Sequence, residues 1–83
     1  MTIVAAAIQH KGLTFSLPQP ARHHHILHLM AELGLPIPIQ GKQGFMNSHG
    51  NFVDRELAAQ IAIADGQITE LRWPPELFSE DLW

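Results

Sequence analysis

The sequence predicts a small α+β domain of order ββαββα, in which antiparallel hairpins pack on two helices and an aromatic C-terminal tail follows. Three observations carry this reading: two β-rich stretches each broken by a glycine-containing turn, two apolar stripes of helical period that close at a glycine, and prolines that separate them. The chain has 83 residues, 46% of them hydrophobic, and no cysteine. That is enough for one core spanning residues 1–83 and too little for two. A core of this size rarely contributes more than about 3–5 kcal/mol. With no disulfide to add to it, further stability is expected from a metal, a ligand or a partner subunit, and self-association is the expectation taken forward.

Thr2 to Leu17 is rich in Ile, Val, Ala, Phe and Thr and is interrupted at His10-Lys11-Gly12, where glycine supplies the positive φ of a tight hairpin. The alanines at 5–7 are poor strand formers but leave room for close packing against a helix or another subunit. Pro18 and Pro20 end the second strand and open a helix over residues 21–33, with Gly34 as its closing residue. Its stripe is Ile26, Leu29, Met30 and Leu33, at i, i+3, i+4 and i+7, widened by Leu27. Pro36 and Pro38 stop it, and Leu35 to Gln40 is expected to run extended over the surface.

Gly44-Phe45-Met46 and Asn51-Phe52-Val53, joined through Asn47-Ser48-His49-Gly50, read as a second, smaller hairpin. Asp54 is placed to cap a helix that runs to about Asp65 and closes at Gly66. Leu57, Ala58, Ile61 and Ala62 form its buried face, and Ile63 falls off it. From about residue 71 to 83 the tail holds both tryptophans, Trp73 and Trp83, around Pro74-Pro75. So aromatic a segment is expected to dock on its own domain or on a neighbour.

The net charge is −3, which disfavours broad nucleic-acid binding through phosphates. Residues 1–45 carry +2 and residues 46–83 carry −5, so an anion site depends on a few placed cations. The apolar run Ile3 to Ile8 is about half a membrane span and has no basic region before it. The expectation is an intracellular protein without a signal peptide and with no membrane partner. The absence of cysteine removes thiolate zinc sites and thiol catalysis.

Two groups of residues carry candidate chemistry. Arg22-His23-His24-His25 with His28 admits three readings. His24 and His28, at i and i+4, suit a metal if a third ligand such as His10, His49 or Asp54 joins them. As the bland alternative, His23 flanks the core stripe while His24, His25 and His28 form a polar helix face. In the third reading Arg22, His23 and His24 donate to phosphate or ribose oxygens near a helix N-terminus. The second group is Lys42-Gln43-Gly44-Phe45 with Asn51-Phe52-Val53-Asp54-Arg55. It suits a nucleotide: Phe45 or Phe52 to stack on a base, Asn51 and Asp54 to read base or ribose, Arg55 to hold phosphate. The competing reading places both phenylalanines in the core, Asp54 in a cap and Arg55 in a surface pair. No nucleophile elbow, P-loop or dinucleotide fingerprint is present, so a binding protein without a resident cofactor, metal or catalytic residue is the simpler class.

The blocks ARHHHI, PIPIxGxQGF, FVDRxxAxxIAxxxGQI and LFSEDLW resemble small proteins of phages and prophages over nearly the whole chain. Within that group the chain resembles the first family of Thoeris anti-defence proteins, the Tad-type sponges. The resemblance implies sequestration, without cleavage, of a cyclic nucleotide immune signal: a cyclic ADP-ribose isomer, with cyclic dinucleotides as further ligands. It also implies a homo-oligomer with pockets between subunits, acting in the host cytoplasm. Ligand contacts are then expected at Arg22, His23, His24, Phe45, Asn51, Phe52, Asp54 and Arg55. Two other classes stand beside it. One is a metal-dependent phosphodiesterase or nuclease-type enzyme using the His cluster, and the other is an inhibitor of a host defence protein acting through Trp73 and Trp83.

Overall fold

Lys11 and Gly12 both take positive φ, 48° and 80°, the two-residue turn whose twist matches the flanking strands of a hairpin. In the computed structural model, which describes residues 1–83, this turn joins β1 (Ile3–His10) to β2 (Leu13–Pro18), with Ile8 opposite Phe15 and His10 opposite Leu13. The second hairpin, β3 (Lys42–Asn47) and β4 (Phe52–Asp54), sets Phe45 opposite Val53. Asn47 holds its turn together, accepting at Oδ1 from the N–H groups of His49 and Asn51, each at 3.0 Å. The hairpins merge because β3 also pairs antiparallel with β1, giving a four-stranded sheet of order β2-β1-β3-β4.

Helices α1 (His23–Glu32) and α2 (Arg55–Ala64) follow the two hairpins. Ile26 and Met30 from α1 and Ala58, Ala59 and Ala62 from α2 pack on Ala6, Ile8, Phe45 and Val53 of the sheet. A register shift between Ile3 and Ala5 lets Ile3 join Ala6 in that core although the two differ in parity, as a β-bulge allows. The Gln67 side chain completes the end of β1, accepting from the Ile3 N–H at 2.8 Å and donating to the Ile3 carbonyl at 2.9 Å.

The helical stripes are rotated from their expected phase. In α1 the buried positions are His23, Ile26 and Met30, while Leu33 is the C-cap and stands 63% exposed beyond the last turn. In α2 Ala59 replaces Leu57 on the buried face, and Leu57 is 47% exposed. Small side chains let the helix lie close to the sheet, and a leucine at that contact would hold it off. The segment from Leu35 to Gln40 forms no strand or helix, and Leu35 and Ile39 pack against the core.

The tail docks on its own domain. Leu77 is fully buried in the core, and a short helix α3 (Ser79–Leu82) follows. The Leu77 N–H donates to the Arg55 carbonyl at 3.0 Å, and the Trp83 indole N–H donates to the Ala21 carbonyl at 3.0 Å. The tail thereby links the N-terminal ends of α1 and α2.

Candidate functional site

Both helices contribute to the core on one side of the sheet, and side chains alternate along each strand. Ala5, Ala7 and Gln9 of β1, Thr14 and Ser16 of β2, Lys42, Gly44 and Met46 of β3, and Phe52 and Asp54 of β4 therefore share the opposite face. Its middle is built of small residues, Ala5, Ala7 and Gly44, and is covered by its neighbours, with Ala7 fully buried. Phe52 lies over Gly44 so closely that a Cβ there would meet its ring carbons at 2.5 and 2.9 Å and the Val53 carbonyl oxygen at 2.3 Å. Glycine at 44 is thus required by the approach of an aromatic ring and a neighbouring strand.

Where β3 begins and β4 ends, Gly41, Lys42, Gln43, Asp54, Arg55, Glu56 and Glu76 line an open cleft of about 450 Å³. The β3–β4 hairpin makes this juxtaposition, bringing together Lys42, Gln43, Asp54 and Arg55. Asp54 caps α2, accepting at Oδ1 from the Leu57 N–H at 2.8 Å. Arg55 is half-buried: it donates to the Leu77 carbonyl at 2.8 Å and to Gln43 Oε1, and its guanidinium carbon lies 4.2 Å from the centre of the Phe78 ring. Burial pushes its pKa below the usual arginine value, while Glu76 and Glu80 act in the opposite sense. The guanidinium stays charged in any case. Lys42 is exposed and is the cation of the cleft best placed to meet an anion.

The remaining expected residues lie elsewhere, and two are corrected. Phe45 is fully buried and packs edge-on against His23 at 5.1 Å between ring centres, so it offers no face to a base. His23 is buried too, its Nε2–H donating to the Gly44 carbonyl at 2.7 Å, so its ring packs inside the fold and is not offered to a ligand on the surface. Burial lowers its pKa from 6.5, and Arg55 adds to the lowering. The hydrogen bond to Gly44 and the charge of Glu80 oppose it.

Arg22 donates through its guanidinium to the Trp83 carbonyl, and Asn51 is exposed at the β3–β4 turn. His25 Nδ1 accepts from the Arg22 backbone N–H at 2.8 Å, closing the first turn of α1. His24 and His28 are exposed with ring centres 6.3 Å apart. No three His, Asp or Glu side chains converge as a metal site would require: His10 donates to the Gln40 carbonyl, and Asp54 uses Oδ1 for its cap, leaving Oδ2 without a hydrogen-bond partner.

The sequence does not single out Gln9, Thr14 and Ser16 of the sheet face turned away from the helices. Their signal is positional: they alternate with core residues along two strands. No helix is long and apolar enough to cross a membrane. A search of curated proteins and of solved structures finds no significant match. A family model described as phage T4 y16D protein matches residues 2–83, and the chain therefore belongs to that family of phage proteins.

Proposed function

We propose that this phage protein is an anti-defence sponge, which binds a cyclic nucleotide immune signal in the host cytoplasm and holds it uncleaved. The signal is of the cyclic ADP-ribose class, with cyclic dinucleotides as further ligands. The observation that carries the reading is the half-buried Phe52 ring, lying over Gly44 on the hairpin whose end forms a polar cleft holding Lys42, Gln43, Asp54 and Arg55. A planar base has an aromatic surface to stack on, an amide and a carboxylate can read base or ribose, and Lys42 can meet a phosphate. The three acids of the cleft, Asp54, Glu56 and Glu76, outnumber its two cations. That balance favours a ligand recognised through base and ribose as much as through its charge. Pockets completed by a second subunit would add cations from another chain.

The test is native mass spectrometry and calorimetry of the purified protein with cyclic ADP-ribose isomers and cyclic dinucleotides. The expected result is a noncovalent adduct released unchanged on heating. Phe52→Ala and Lys42→Ala should each weaken it, by about tenfold or more. A folded wild-type protein that binds none of these compounds, or that returns a cleaved product, would overturn the proposal.

A further inference from the structure

The outer edge of β2 is an unprotected strand edge. In a two-residue hairpin the residues flanking the turn form a hydrogen-bonded pair, so with His10 opposite Leu13 and Ile8 opposite Phe15 the backbone groups of Leu13, Phe15 and Leu17 point toward β1. Those of Thr14 and Ser16 point outward, and no turn, loop or cap hydrogen bond of the fold uses them. Exposed edges are ordinarily guarded by charge, proline or a bulge. Leu13 to Leu17 has none of these, and only Pro18 ends the run.

The segment is also self-complementary. Leu13-Thr14-Phe15-Ser16-Leu17 reads nearly the same in both directions. We infer that β2 pairs antiparallel with β2 of a second copy of this chain about a two-fold axis at Phe15, joining two sheets into one of eight strands. Thr14 then lies opposite the partner's Ser16, and each such pair exchanges both of its N–H···O bonds. On the helix side Phe15 meets the partner's Phe15, and Leu13 meets the partner's Leu17.

Three observations select a second copy as the occupant. Leu13, 63% exposed, gains an apolar neighbour, the partner's Leu17, in this pairing. Beside Leu17, where the partner's Leu13 arrives, Leu17, Pro18, Pro20, Ala21 and His25 line a shallow, largely apolar hollow. Moving the axis by one residue either way sets Pro18 or the turn residue Gly12 opposite an outward-facing donor, so one register satisfies the edge best. No charge in the segment opposes its own copy. Such pairing is isologous and closes at two subunits, because the other sheet edge, β4, is only three residues long.

The experiment reads mass and backbone protection together, on the whole chain. At micromolar concentration wild-type protein should sediment at twice the chain mass. In hydrogen exchange, the Thr14 and Ser16 amides should become protected as concentration rises. Thr14→Pro removes an outward donor without touching the β1–β2 ladder, and it should run at the single-chain mass with an unchanged circular dichroism spectrum. Thr14→Lys combined with Ser16→Lys, which sets lysines opposite one another, should do the same. A monomeric wild-type protein would overturn the inference. So would a dimer in which the Thr14 and Ser16 amides exchange as freely as in the monomer, a result that needs no variant to fold.

Discussion

His23 commits its Nε2–H to the Gly44 carbonyl and its ring edge to Phe45, and this has a consequence for pH. Burial holds its folded-state pKa below the ordinary 6.5, with Arg55 lowering it further. In the unfolded chain the imidazole takes up a proton as pH falls through 6.5, while the folded protein resists it. The unfolded state then binds more protons, so this contribution to stability is complete above pH 6.5 and is lost on acidification, down to the folded-state pKa. The loss is at most about 1.4 kcal/mol per pH unit. His23→Gln keeps a donor near the same place without titrating. In urea unfolding followed between pH 7 and roughly 5, the variant should lack the His23 component of the wild-type slope, and identical slopes would refute the assignment. The sequence allows His23 to flank the core stripe of α1, but it does not disclose this role, because nothing near it in the chain names Gly44 and Phe45 as its partners. Only the packing of α1 on β3 turns it inward.

At the scale of elements, signals carried by neighbouring residues are legible and those that depend on distant contacts are not. The Lys11-Gly12 turn, the Asp54 cap and the closures at Gly34 and Gly66 are each written within a few residues. The phase of the helical stripes is not, since Leu57 and Ala59 are equally apolar in sequence and only the close approach of α2 to the sheet decides between them. Nor is the Gln67 amide that completes β1 across 64 positions. The tail shows the same division. Its aromatic content predicts docking, but its anchor is Leu77, fully buried and tied through its N–H to the Arg55 carbonyl. Leu77→Ala should therefore cost about 2–5 kcal/mol and lower the melting temperature by roughly 8 °C or more, as calorimetry would read. Trp73→Ala, at a site 51% exposed, should change it far less. Equal effects of the two substitutions would mean that the aromatic residues, and not Leu77, hold the tail.

For the whole molecule, one face of the sheet is occupied by helices and tail, and the other is lined by the strands' own side chains. A ligand held in the cleft and against Phe52 would bind the folded protein alone, since Lys42 and Asp54 come together, and Phe52 is set on the same hairpin face, only when β3 and β4 pair. Binding and stability are then linked by mass action: at a free ligand concentration of 100 times Kd the fold gains about 2.7 kcal/mol. For a domain of this length that corresponds to a rise in melting temperature of roughly 10 °C or more. Differential scanning fluorimetry over a ligand series should show the rise for the cyclic nucleotide that is bound and not for its linear hydrolysis product. In Phe52→Ala the rise, measured from the variant's own ligand-free melting temperature, should shrink at the same ligand concentration. The sequence does place Phe52, Asp54 and Arg55 in one short segment. It does not show that Phe45, two residues from Asn47 on the same hairpin, faces the core while Phe52 faces outward, because that follows from the register between β3 and β4. A full shift retained in Phe52→Ala would place the ligand elsewhere, and an equal shift with the linear product would remove cyclic geometry from what the protein recognises.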